Sequence, residues 1–146
     1  MYKKTPVLKK ENILLGLKEM TRDEAITKAG QILIDSGYVG EEYIAAMFQR
    51  EAIVSTFIGN GVAIPHGVGN ARGLIKNSGL VVLQFPEGID FNGNKCYLVI
   101  GISGKDNDHI KILSNIAEQL SDEEKAMKLW KTTDLDFVFN IFVKGE

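Results

Sequence analysis

The chain has 146 residues, is 45% apolar and 25% charged, and carries a formal net charge of −2. This composition excludes a disordered or low-complexity chain. The slightly negative balance argues against a nucleic-acid binder, which would carry a basic face or stripe. The length suits one domain over 1–146, with a core that needs no disulfide or metal staple. No stretch approaches the ~18 apolar residues of a membrane span, and no apolar signal core follows the basic start Met1–Pro6. No membrane insertion is therefore expected, and the cytoplasm is the expected compartment. Lys3, Lys4, Lys9 and Lys10 read as a solvated tail. The one cysteine, Cys96, lies in the apolar run Cys96-Tyr97-Leu98-Val99-Ile100 and reads as core filler rather than as a reactive thiol.

In chain order, Asn12-Ile13-Leu14-Leu15 is a short apolar run ended by Gly16, suited to a strand. Thr21 and Glu24 form a capping box. Ala25, Ile26, Ala29, Ile32 and Leu33 follow at helical spacing and Gly37 sits past the end, so a helix is expected over 22–36. A second helix is expected from Glu41 to about Ala52, with Ile44, Met47 and Phe48 inward. Val54, Thr56, Phe57 and Ile58 favour strand, Gly59-Asn60-Gly61 a turn, and Val62-Ala63-Ile64 leads into Pro65-His66-Gly67. The near-continuous apolar runs 79–85 and 97–102 suit strands covered on both faces, with Pro86-Glu87-Gly88 as the turn between them. From Asp108 the spacing of Ile110, Leu113, Ile116, Ala117 and Leu120 predicts a helix. Ser121 and Glu124 suggest a capping box for a short helix to Trp130, and Thr133 a cap for a last helix carrying Leu135, Val138, Phe139 and Phe142. Helices and buried strands interleave, so the expected class is α/β: one mixed sheet sandwiched between helices on both faces.

Histidine is scarce, with only His66 and His109. Pro65 fixes its own φ and holds Ile64 extended, while Gly67 leaves space beside the ring. A buried strand thus delivers an imidazole to its end on a stiff backbone, as a nucleophile meeting a bulky phosphoryl group requires. The plainer alternative is a histidine that ends a strand and hydrogen-bonds locally. With Asp106 or Asn107 as N-cap, His109 falls in a first helical turn, where free N–H groups favour anions. It is otherwise a solvated helix-start residue. Arg50 offers a planar fork for phosphate oxygens, or pairs with a neighbouring carboxylate. Asp106, Asp108 and Glu51 beside two histidines lacking i, i+4 spacing make a poor metal set, so no metal is expected. No nucleotide-binding Gly-x-x-x-x-Gly-Lys-Ser/Thr and no Gly-x-Ser-x-Gly elbow occurs.

Together these pieces resemble the enzyme IIA domains of the mannitol/fructose type in the bacterial phosphotransferase system. The resemblance runs through Glu11-Asn12-Ile13-Leu14-Leu15-Gly16, Tyr38-Val39, Glu42-Tyr43, Ala46-Met47, Arg50-Glu51, Gly59, Ala63-Ile64-Pro65-His66-Gly67, Pro86-Glu87-Gly88, Leu98-Val99-Ile100-Gly101-Ile102 and His109-Ile110. The first of these and the Tyr-Val-x-x-Glu-Tyr stretch resemble the mannitol branch rather than the fructose or nitrogen-regulatory branches. The resemblance implies a mixed sheet between helices and a phosphotransferase role without cofactor. It implies that His66 takes a phosphoryl group, through Nε2, from the phosphohistidine of HPr. The group then passes to a cysteine on the enzyme IIB domain of the sugar permease, which itself holds the sugar. His109 matches the second active-site histidine and Arg50 the nearby arginine. Asn60 and Val68 depart from the pattern, since some mannitol-type members have an acidic residue and a threonine there. Orientation of the histidine then falls to other groups, such as backbone. Three rival readings are a regulatory phosphohistidine module, an enzyme IIA for fructose or another polyol, and a small metal-dependent hydrolase.

Overall fold

The computed structural model describes residues 6–143, so Lys3 and Lys4 of the expected tail lie outside the described residues. A short 3-10 turn, Lys10–Asn12, leads into β1 (Ile13–Leu14). The helix α1 (Arg22–Asp35) carries the expected capping box, with Thr21 and Glu24 bonded reciprocally. Then follow α2 (Tyr43–Ile53), β2 (Phe57–Gly59), β3 (Val62–Ala63) and a second 3-10 segment, Gly69–Leu74. The long strands β4 (Gly79–Phe91) and β5 (Asn94–Ser103) precede α3 (Asp108–Leu120), α4 (Glu123–Lys131) and α5 (Leu135–Val143).

The five strands form one sheet in the order β1-β4-β5-β3-β2. Pairs β1/β4 and β3/β5 are parallel, while β4/β5 and β2/β3 are antiparallel, so the sheet is mixed as expected. Side chains of β4 alternate between two cores. Val81, Leu83 and Phe85 join Ala25, Ile26, Ala29 and Leu33 of α1 and Met47 of α2. Leu80 and Val82 join Ile112, Ile116, Leu120, Leu129 and Phe142 from α3, α4 and α5. Both faces of the sheet are therefore dry, which explains why its strands read as unbroken apolar runs.

Several local expectations differ from the structure. Pro86-Glu87-Gly88 is not the turn between the two long strands. It is a bulge within β4, where the register with β5 shifts between Gln84 and Ile89 and Gly88 has φ +77°. Proline is tolerated there because the ladder is already interrupted. The turn is Asn92-Gly93, both at positive φ (55° and 87°), the geometry that a tight hairpin demands. Ser121 closes α3, and Asp122 caps α4 by accepting from the Glu124 N–H. Asp134, not Thr133, caps α5 by accepting from the Phe137 N–H. Helix α2 starts at Tyr43 rather than Glu41 and buries Tyr43, Ala46 and Met47, while Ile44 and Phe48 are only half-buried. The buried stripe of α3 is Ile112, Ile116 and Leu120, so Ala117 is exposed and Ile110, on the opposite side, is 68% exposed. Lys9 and Lys10 do not belong to a solvated tail. Lys9 lies over the Tyr38 ring, and Lys10 pairs with Asp136 and lies over Phe139. Cys96 is fully buried, as core filler should be.

Candidate active site

Because β3 and β5 run parallel, their C-terminal ends emerge at the same edge of the sheet. Beyond Ala63 the chain stays in register with β5: Val62 faces Leu98, Ala63 faces Val99 and His66 faces Ile102. The Ile102 N–H donates to the Pro65 carbonyl at 3.0 Å. Two residues past Ile102, Gly104 turns the chain so closely under α3 that a Cβ there would lie 2.4 Å from the His109 Cα. The loop after β5 is fixed by Ser78, whose hydroxyl donates to Asp108 Oδ2 at 2.8 Å and accepts from the Lys105 N–H at 2.9 Å. Asn107 occupies the N-cap position but makes no side-chain cap bond. His109 is thus the second residue of α3 and points back toward the strand end. The two imidazole centroids are 5.3 Å apart with planes inclined at 59°.

Both rings are half-buried. His66 Nδ1 lies 2.7 Å from the Ile64 carbonyl oxygen. A carbonyl only accepts, so Nδ1 carries the proton and the lone pair of the neutral ring is on Nε2. Burial lowers the His66 pKa from its usual 6.5; the Ile64 carbonyl opposes that, the charges of His109 and Arg50 reinforce it, and Glu51 opposes it. Burial also lowers the His109 pKa, and the Arg72 guanidinium adds to the effect. The Arg50 guanidinium thus acts on His66 and the Arg72 guanidinium on His109. The one carboxylate that His66 senses, Glu51, is buried and occupied: it accepts from the Thr56 N–H at 2.8 Å and the Thr56 hydroxyl at 2.7 Å. That environment suits a bound dianion.

Arg50 is half-buried and donates from Nη1 to the Val54 carbonyl at 2.7 Å, closing the end of α2. Among the described residues the ion pairs are Lys10–Asp136 and Arg22–Asp23, so Arg50 is not tied to a neighbouring carboxylate. Glu51, Asp106 and Asp108 do not gather with the histidines: among the described residues no group of three or more His, Cys, Asp or Glu side chains is placed to hold a metal. Asn60 lies away from the imidazoles, at φ +50°. Its amide donates to the Leu120 and Ser121 carbonyls at the end of α3. The Ile64 carbonyl, a backbone group, orients His66.

The sequence reading missed three contributors. Arg72 sits on the 3-10 segment six residues after His66, and nothing local signals that its charge reaches His109. Gly104 is one glycine among 15. Tyr43 entered only as part of a resemblance, yet its buried hydroxyl touches both strands at the site. Such contacts join residues far apart in sequence and leave no spacing to detect.

The family model for the phosphoenolpyruvate-dependent sugar phosphotransferase system, EIIA 2, matches residues 6–145. The mannitol-specific phosphotransferase enzyme IIA component of Bacillus subtilis is 48% identical over 138 residues, covering 92% of this chain and 96% of that protein. The protein of the same name from Geobacillus stearothermophilus is 46% identical over 137 residues, covering 93% and 94%. In the complex of enzyme IIAMTL with phosphorylated enzyme IIBMTL from Escherichia coli, one chain superposes with a TM-score of 0.85. It is 37% identical, with 92% of this chain and 95% of that one covered. Among the described residues no helix is long and apolar enough to cross a membrane. With its fold and nearly its whole length matched, the chain belongs to the EIIA 2 family and is a phosphotransferase component.

Proposed function

We propose that the whole chain works as one cytoplasmic carrier domain, taking a phosphoryl group on His66 from phospho-HPr and passing it to the cysteine of a mannitol enzyme IIB domain. The observation that carries this reading is the Nδ1 contact to the Ile64 carbonyl, which leaves Nε2 as the nucleophile beside a second imidazole. Neutral His66 attacks phosphorus in line; the N–P bond to the donor imidazole breaks as the bond to Nε2 forms. His109 lies on the side where the equatorial oxygens gather, with Arg50 and Arg72 adding positive charge. The protein's work is alignment and charge stabilisation. One phosphoramidate replaces another, so the first transfer is close to balanced and reverses easily. The mannitol assignment is supported by the names of relatives that cover more than nine-tenths of the chain, and the acceptor by the enzyme IIB partner in the superposed complex.

The test uses labelled phosphoenolpyruvate, enzyme I and HPr, followed by a chase into purified mannitol enzyme IIB. Wild-type protein should take up label and lose it to the enzyme IIB cysteine, while His66→Ala should take up none. Full labelling of His66→Ala would end the reading. Labelling that does not chase into the mannitol partner would favour a regulatory module or another sugar.

A further inference from the structure

In a regular parallel ladder, a residue bridged as His66 is to Ile102 is held from both sides. The facing N–H donates to the carbonyl before it, and the facing carbonyl accepts from the N–H after it. The first of these bonds is present, from the Ile102 N–H to the Pro65 carbonyl at 3.0 Å. At the second, a side chain shares the rung while the His66–Ile102 bridge itself remains. The Gly67 N–H donates instead to the Tyr43 hydroxyl at 2.9 Å, and that hydroxyl donates onward to the Ile102 carbonyl at 2.8 Å. A phenol from the first residue of α2 has entered the rung that would otherwise close next to His66.

We propose that Tyr43 is a positioning residue for His66: its hydroxyl, inserted between the Gly67 N–H and the Ile102 carbonyl, ties the backbone at the isolated His66–Ile102 bridge to α2 and sets the ring's orientation. The inference rests on His66 being the phosphoryl acceptor. Three further facts support it. Tyr43 is 1% exposed, so its hydroxyl meets fixed partners rather than water. Burial pushes its pKa up to about 12, so the group stays a neutral O–H, able to donate and accept at once. Gly67 is packed on it so tightly that a Cβ would lie 2.6 Å from Tyr43 Cε1, which gives the glycine of Pro-His-Gly a physical reason. The Val68 N–H is spent as well, on the Ala46 carbonyl at 3.1 Å. With both N–H groups after His66 committed to α2, phosphoryl oxygens on this side must turn to side chains, His109 foremost.

The variant Tyr43→Phe keeps the ring and removes the wedge, so Gly67 can reach the Ile102 carbonyl directly. The control is Tyr38→Phe, which removes another buried tyrosine hydroxyl, one that bonds the Pro6 carbonyl. Two measurements are made on both: the ring 15N shifts of His66, which report which nitrogen carries the proton, and the maximal rate of phosphoryl acceptance from phospho-HPr. Tyr43→Phe should shift the His66 ring nitrogens and lower the maximal rate about tenfold or more, leaving the half-saturating donor concentration unchanged. Tyr38→Phe should alter at most the melting temperature. Gly67→Ala, whose Cβ would push the phenol and with it the hydroxyl out of the rung, should reproduce the Tyr43→Phe pattern and serves if Tyr43→Phe does not fold. Wild-type ring shifts and rate in a folded Tyr43→Phe, or in a folded Gly67→Ala should Tyr43→Phe not fold, would overturn the proposal. Failure of wild-type protein to accept phosphate would sink the carrier reading instead, and the ring shifts would still decide the role of the wedge.

Discussion

At the scale of single residues, the role proposed for His66 combines two requirements that usually conflict. A nucleophile for phosphorus must be neutral, yet the product is a dianion that wants positive surroundings. Burial and the neighbouring cations lower the imidazole pKa below 6.5, so the neutral form is populated at neutral pH, and in the proposed transfer the same cations would offset the charge of the phosphoryl group. Acceptance should therefore stay level as pH falls to 6.5 and drop only when the lowered pKa is crossed, as a pH profile of the rate will show. The stability effect has a definite sign. Both imidazoles are disfavoured as cations in the fold, so the unfolded chain takes up protons first. Stability attributable to them is full above about pH 6.5 and falls as pH drops through the unfolded value, levelling off below the folded one. A melting series across that range should lose part of its slope in His66→Gln. Removing the second imidazole by His109→Ala should slow acceptance on the order of a hundredfold, the usual cost of losing one donor to transition-state charge. Equal rates in the two proteins would remove His109 from the chemistry.

Among the secondary elements, what matters is which ends meet. A parallel β3–β5 pair puts the residue after one strand and the helix after the other at the same edge, the place where open α/β sheets gather ligands. The antiparallel hairpin β4–β5 supplies the rigid centre. Asn60, in the turn before β3, ties that strand to the end of α3 through two amide bonds, so it joins the elements that carry the two histidines without touching either. Asn60→Ala should cost about 1–2 kcal/mol, from the lost bonds and the strain of alanine at positive φ. Phosphoryl acceptance, measured well below the melting temperature, should remain at the wild-type level. The helices were legible in the sequence because their apolar spacing and the Thr21–Glu24 box are local. The hairpin is misplaced in the sequence reading because Pro86-Glu87-Gly88 carries a turn signal of its own, whereas the true turn is Asn92-Gly93. A proline and glycine together signal a turn, but flanking strands that pair on both sides of them turn the same residues into a bulge.

For the molecule as a whole, the proposed carrier needs one open face that serves two partners in turn. The exposed large apolar side chains include Ile53 and Val54, which follow Arg50 in the chain, and Ile110, which follows His109. A protein surface of this kind can be covered and released. The mixed α/β class and the pairing of His66 with His109 followed from residues that sit near strand ends and helix starts. Tyr43, Arg72 and the Ile64 carbonyl did not, because their roles exist only once α2, the 3-10 segment and β3 have packed together. The central claim concerns one atom, Nε2 of His66. The most direct test is phosphorus–nitrogen NMR on 15N-histidine protein charged with phosphoenolpyruvate, enzyme I and HPr. A single phosphorus coupled to Nε2 of His66 is the result expected; phosphorus on Nδ1, on His109 or on no histidine would contradict the account.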